Sequence, residues 1–250
     1  MRWQCHDLFH RIPPGATAGG IAVVIDVLRA STTIVTALAR GATLVLPRRS
    51  IEEARVAAAA WPGAILGGER GGVRIAGFDV GNSPAEYRAD RVAGRPVVLT
   101  TTNGTLAVAA CLDAVEVLVG AIVNRTAVAA TARRLGAARG CDAIHLVCAG
   151  TDGHVTDEDL IAAGAILAAA GDDQQFDESA RSARDQFLAL AAAGRDGLEQ
   201  RIATAFRTCR GGENLIALGM EADLALAAQI DSLAIVPRLD RKTEALVGES

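Results

Sequence analysis

Aromatic residues are scarce, only 3% of a 250-residue chain. That leaves few platforms for stacking bases and argues against single-stranded nucleic-acid binding. A strongly basic stretch is also missing: 25 basic residues against 29 acidic ones give a net charge of −4, whereas DNA demands a basic face. No C-x-x-C pair exists, and the five cysteines (Cys5, Cys111, Cys141, Cys148 and Cys209) are odd in number. Neither a zinc site nor a disulfide framework is expected; the thiols read as small buried hydrophobes in a reducing cytosol. The apolar run at residues 160–170 is too short to span a bilayer, and the N-terminus shows no basic segment followed by an apolar one. The expected setting is cytoplasmic, with no nucleic acid and no membrane as partner.

Familiar catalytic signatures are absent as well. There is no Walker A pattern, no G-x-S-x-G and no H-E-x-x-H. Asp26 lacks a second Asp two positions later, so the aspartyl-phosphate phosphatase signature is missing. The glycine loops do not match a dinucleotide fingerprint.

What the chain does have is apolar bulk, 50% of its residues, enough for one large domain or two tightly joined lobes. With so few aromatics the core must be Ala, Val, Leu and Ile. A strand–polar turn–helix pattern then repeats. Residues 21–28 (IAVVIDVL) form a β-branched run fit for a buried strand, followed by Arg29, Ser31, Thr32 and Thr33 and helical residues 34–39. Strand-like residues 96–99 lead into TTTNGT and a helical LAVAACL. Residues 115–123 precede Asn124, Arg125 and Thr126 and a helical AVAATARRL. Residues 144–148 precede a polar loop to Asp159 and a helical LIAAGAILAAA. Shorter strands are expected at 43–46 and 64–66, and a strand-like SLAIVP at 232–237 precedes a polar tail expected to fray. Residues 67–84 are too glycine-rich for a helix and read as a long loop or two short strands. An amphipathic, peripheral helix is expected at 178–193.

This alternation predicts an α/β fold, a mostly parallel or mixed sheet with helices on both faces. In such sheets ligands bind beyond the carboxyl ends of the strands, where this sequence puts its Ser, Thr, Asn, Arg and Asp residues. Asp26, inside an apolar strand, needs a partner: it either caps a turn or meets a cation. Ser31, Thr32 and Thr33 either cap a helix or, with Arg29, cradle a phosphate. Thr101, Thr102, Asn103 and Gly104 offer the same parts, Gly104 admitting close backbone approach. Glu69 and Arg70, between glycine pairs, are a hairpin tip or line a site. Asp157, Glu158 and Asp159 complement a helix N-terminus or ligate a hard cation such as Mg²⁺.

The segments VVIDVLRASTTIVTAL, GERGG, FDVGNSP, VVLTTTNGT, CAG and EDLIAAGAI, in this order from Val23 to about Ile166, resemble the 2-phosphosulfolactate phosphatase family; LIALGMEADL fits more loosely. The resemblance implies Mg²⁺-dependent hydrolysis of a phosphate monoester on a sulfonated lactate, in the route to coenzyme M. It also implies a single catalytic unit over residues 1–250, built as two lobes with the site in the cleft between them. By motif match the site takes Asp26, Arg29, Ser31, Thr32, Thr33, Glu69, Arg70, Asn82, Thr101, Thr102, Asn103 and Gly104, with Glu158 and Asp159 as an acidic pair. In this reading Asp26, Arg29 and Glu69 are catalytic, and Asp26, Glu69, Glu158 and Asp159 are the metal ligands. Arg70 or Arg125 holds the substrate's further anionic groups. Two other readings stay open: a phosphatase acting on another small multi-anionic ester, and a non-catalytic anion binder. A homodimer is also left open by the sequence.

Overall fold

A computed structural model describes residues 1–249. In chain order its elements begin with β1 (Arg2–His6), β2 (Ile21–Ile25), α1 (Ala30–Ala39), β3 (Leu44–Pro47), α2 (Ile51–Ala60), β4 (Ile65–Arg70) and β5 (Val73–Arg74). There follow α3 (Ala89–Val92), β6 (Pro96–Thr100), α4 (Gly104–Ala110), β7 (Glu116–Val119), α5 (Arg125–Arg139), β8 (Ala143–Cys148), α6 (Asp157–Ala170) and β9 (Gln175–Phe176). The chain ends with α7 (Glu178–Ala191), α8 (Leu198–Arg207), α9 (Arg210–Ala217), α10 (Ala222–Ala227), β10 (Val236–Asp240) and β11 (Ala245–Glu249).

The strands form one 11-stranded mixed sheet, ordered β5-β4-β6-β3-β11-β10-β7-β2-β8-β1-β9. Two parallel blocks are visible in it. One pairs β4 with β6 and β6 with β3; the other runs from β7 through β2, β8 and β1 to β9. The C-terminal hairpin β10–β11 lies between them, antiparallel to β7 on one side and to β3 on the other. The expected α/β sheet is thus present, and strand pairing runs from one block to the other through the hairpin.

Side chains alternate across the sheet, as a pleated strand requires. Ile21, Val23 and Ile25 of β2 join Ile144, Leu146 and Cys148 of β8 on one face, packed under α5, α6 and α7. Ala22, Val24 and Val147 point the other way, against Ile34 and Leu38 of α1 and Ala107 and Val108 of α4. Helices therefore cover both faces. The small side chains of α6 allow close packing: a methyl group on Gly164 would meet the Ala183 backbone of α7.

Several sequence expectations shift here. The strand expected at 21–28 ends at Ile25, so Asp26 stands just past its carboxyl end. Residues 67–84 do contain two short strand pieces, the end of β4 and all of β5. The strand-like 232–237 run enters β10 at Val236, and the tail expected to fray beyond it instead supplies the rest of β10 and all of β11 in mid-sheet. Its charges misled the reading: Arg238 sits in β10 because the buried Glu116 of β7 accepts from its Nε at 2.9 Å and its Nη2 at 2.7 Å. The short, polar β1 was not anticipated, although its Trp3 is fully buried in the core.

Leu246 of β11 is fully buried, opposite Val45 of β3. Leu246→Ala is expected to cost about 2–5 kcal/mol of unfolding free energy, the range for a core leucine. Urea titration checks this; a loss near zero would place the C-terminal strand outside the core.

Candidate active site

A cavity of about 380 Å³ opens where strands of both parallel blocks end. Asp26 follows β2, Glu69 closes β4, Thr102 and Asn103 follow β6, and Thr151 and Asp152 follow β8. Arg29, Gly71, Gly72 and Asn82 complete that side, while Gly211, Asn214, Leu215, Ala217 and Leu218 of α9 and its C-cap form the opposite wall. The size suits a small-molecule ligand.

Asp26 serves two purposes. Its backbone N–H donates to Ser31 Oγ at 2.8 Å, and its Oδ1 accepts from the Ala30 N–H at 3.3 Å. The capping reading is therefore realised, and the second carboxylate oxygen lies against the start of α4. A Cβ on residue 104 would stand 2.7 Å from that Oδ2, so only glycine fits there. Burial raises the Asp26 carboxyl from 3.8 to about 7, and the nearby Glu69 and Glu158 add to the rise.

Glu69 is buried and already bonded. Its Oε1 accepts from the Thr102 N–H at 2.7 Å and hydroxyl at 2.9 Å, and its Oε2 accepts from the Gly72 N–H at 2.8 Å. It therefore ties the loop after β6 to the glycine turn after β4. Asp159 ties two other loops, accepting from Val27 at 2.8 Å and Gly150 at 2.9 Å. Glu158 accepts from Gly211 at 3.0 Å and from Thr151 Oγ1 at 3.3 Å through one oxygen, but its buried Oε2 has no partner. Burial raises both Glu158 and Asp159, with Asp26 the first charge acting on Asp159. Asn82 Oδ1 is a second buried oxygen without a partner.

Arg29 is the only cation lining the cavity among the described residues. Its guanidinium pairs with Asp223 Oδ2 at 2.9 Å and donates to the Gly72 carbonyl at 2.7 Å and to Met220 Sδ at 2.8 Å. The peptide between Leu28 and Arg29 is cis.

Six of the sequence candidates thus meet: Asp26, Arg29, Glu69, Asn82, Thr102 and Asn103 line one cavity. Gly104, Glu158 and Asp159 lie directly behind it. Others fall away from it. The Ser31, Thr32 and Thr33 hydroxyls are buried on the backbone oxygens of Val24, Val27 and Asn82, so they hold α1 and not an anion. Thr101 Oγ1 accepts from the Thr105 N–H at 3.1 Å. Arg70 turns to the Glu69 carbonyl at 2.6 Å and Thr100 Oγ1 at 3.0 Å. Arg125 pairs with Asp231 at 3.1 Å over the Phe187 ring, in a separate surface depression. No site role attaches to the α9 wall or Asp223 in the sequence alone. One signal is present: the loosely matching segment LIALGMEADL spans residues 215–224, which hold much of that wall and Asp223.

Among the described residues, no three His, Cys, Asp or Glu side chains are arranged as a ready metal cage. No helix among the described residues is long and apolar enough to cross a membrane. Residues 8–242 match the protein family described as 2-phosphosulpholactate phosphatase. The chain is 44% identical over 223 residues to a Deinococcus radiodurans protein named probable 2-phosphosulfolactate phosphatase, covering 88% of this chain and 87% of that one. Proteins with the same name from Symbiobacterium thermophilum and Thermosynechococcus vestitus are 42% and 38% identical, covering 90% and 86% of this chain and 94% and 87% of theirs.

Because the Asp26 carboxyl is raised on folding, its contribution to stability is complete below about pH 4 and disappears as the pH climbs through about 7. Asp26→Asn cannot ionise. In metal-free buffer it is expected to lose less thermal stability than the parent chain between about pH 4 and pH 7. Melting temperatures at the two pH values check this; equal losses would mean that Asp26 ionises freely.

Proposed function

The chain belongs to the 2-phosphosulfolactate phosphatase family, and on that footing we propose that it is a phosphoric monoester hydrolase that uses Mg²⁺ to cleave 2-phospho-3-sulfolactate into sulfolactate and phosphate. The observation that carries the Mg²⁺ part of the reading is an imbalance of charge. Asp26 and Glu69 line, and Glu158 and Asp159 lie behind, one cavity whose only lining cation among the described residues is Arg29, itself paired with Asp223. A substrate with phosphate, carboxylate and sulfonate groups meets net repulsion there unless a cation joins it.

The residues present fit Mg²⁺. The unpartnered Glu158 Oε2 and the carboxylate of Asp26 are hard oxygen donors, and Glu158 lies near enough to help raise the proton affinity of Asp26. Mg²⁺ characteristically takes one or two carboxylates, with water and substrate phosphate completing its shell. When bound, the ion would neutralise the phosphoryl oxygens and favour their expanded charge in the transition state. Glu69 and Asp159, whose oxygens already accept backbone hydrogen bonds, act as supports that hold the loops around it.

The remaining work belongs to the chain. Arg29 offers its uncommitted N–H groups to an oxyanion. Asn82 Oδ1, a free acceptor in the cavity wall, orients the attacking water. Asn103 and Asn214 present amides to the substrate's other anionic groups. Leu215 and Leu218 lower the local dielectric, which strengthens each of these interactions. We favour attack by water over an aspartyl-phosphate at Asp26: the water oxygen enters the phosphate, the ester bond from phosphorus to the lactate oxygen breaks, and that oxygen leaves with the proton the water gives up.

Asp26→Asn is expected to lower turnover by about a thousandfold with the fold retained. Phosphate release from a panel of phosphorylated hydroxy acids, with and without a sulfonate, checks both the variant and the substrate. Near-normal activity in Asp26→Asn removes that residue from the chemistry. Indifference to the sulfonate moves the assignment to another multi-anionic ester.

A further inference from the structure

Arg29 would be a poor anion receptor if it were left to its own flexibility, and the structure shows what holds it. Asp223 is nine-tenths or more buried at the start of α10, outside the cavity lining. One of its oxygens pairs with Arg29 Nη1 at 2.9 Å and the other accepts from Ser83 Oγ at 2.6 Å. Ser83 follows Asn82, a cavity residue, and Arg29 Nη2 reaches the Gly72 carbonyl at 2.7 Å. One carboxylate thereby joins three separate pieces of the cavity: the turn after β2, the Asn82–Ser83 loop and the helical segment that continues from α9 into α10.

We propose that Asp223 is the positioning residue for substrate anion binding, acting through Arg29 and resting on the phosphatase reading above. Its carboxylate holds the guanidinium at Nη1, while the Gly72 carbonyl holds it at Nη2. Of the five N–H groups of Arg29, three donate to Asp223, Met220 and Gly72, and the others are left for an oxyanion in a fixed direction. An arginine ordered in advance binds a phosphoryl group without first losing its rotamer freedom. The same carboxylate draws α10, and with it the α9 wall, towards the loop after β5. Ordering of the receptor and closure of the cavity thus depend on one buried ion pair.

The test uses the full-length chain with Mg²⁺ and inorganic phosphate as the probe, read by titration calorimetry. Asp223→Asn keeps the shape and removes the charge, so phosphate binding is expected to weaken about tenfold or more, the effect of losing a charge-assisted contact. Ser83→Ala, which removes one hydrogen bond to Asp223 and no charge, is expected to give a smaller loss in the same direction. In steady-state hydrolysis both variants are expected to raise KM more than they lower kcat.

The decisive comparison is a double-mutant cycle. If Asp223 acts through Arg29, adding Asp223→Asn to Arg29→Met is expected to weaken phosphate binding no further. A purely structural role predicts additive losses and a KM no more affected than kcat, and either result would overturn the proposal. So would phosphate affinity in Asp223→Asn within twofold of the parent, or a parent chain that binds no phosphate. A parent chain that binds phosphate yet does not hydrolyse 2-phospho-3-sulfolactate instead removes the substrate assignment and leaves the role of Asp223 standing.

Discussion

The arrangement of this protein turns on the burial of several carboxylates around one small cavity. Asp26, Glu69, Glu158 and Asp159 are all withdrawn from water, and isolated buried carboxylates are too costly to persist without compensation. Two of them are compensated by backbone N–H groups: Glu69 by Thr102 and Gly72, Asp159 by Val27 and Gly150. These bonds convert a liability into a frame, because each carboxylate fastens together loops that follow different strands. Asp26 and Glu158 are compensated less fully, and burial drives both, and Asp159 with them, towards the neutral form. The fold thus supplies two acids as braces and leaves two, Asp26 and Glu158, less completely satisfied; these are the proposed cation ligands.

The cluster draws on both parts of the sheet. Three antiparallel pairings separate β7 from β3, so the two parallel blocks run in opposite senses. The turns after β2 and β8 nevertheless meet the end of β4 and the turn after β6 around one cavity. The cavity therefore has acids from both blocks and a wall from α9, which arrives late in the chain. Closing it requires contacts between residues far apart in sequence, such as Arg29 with Asp223 and Glu158 with Gly211.

The sequence revealed the strand-end positions and little of how their side chains are used. Asp26, Glu69, Thr102 and Asn103 were legible because they follow apolar strand runs, and parallel sheets bind ligands there. Ser31, Thr32 and Thr33 satisfied the same rule, yet their hydroxyls close onto the backbone; a cap and an anion ligand have the same residue type, and only coordinates separate them. Arg125 also follows a strand, but its cation is met by Asp231, 106 residues later. Asp223 was illegible because its partner lies 194 residues away. The C-terminal strands were hidden by charge, since Arg238 in β10 makes sense only beside the buried Glu116. Long-range pairing of this kind leaves no local pattern.

The proposed function requires that the buried acids and the substrate's anionic groups coexist through a shared divalent cation. Its most direct test is the affinity of the unmodified chain for inorganic phosphate, measured by calorimetry with a chelator and again with saturating Mg²⁺. Phosphate binding that is strengthened about tenfold or more by the ion is the predicted result. Equal affinity with and without Mg²⁺ would contradict the account, because the carboxylates would then need no cation to admit the anion.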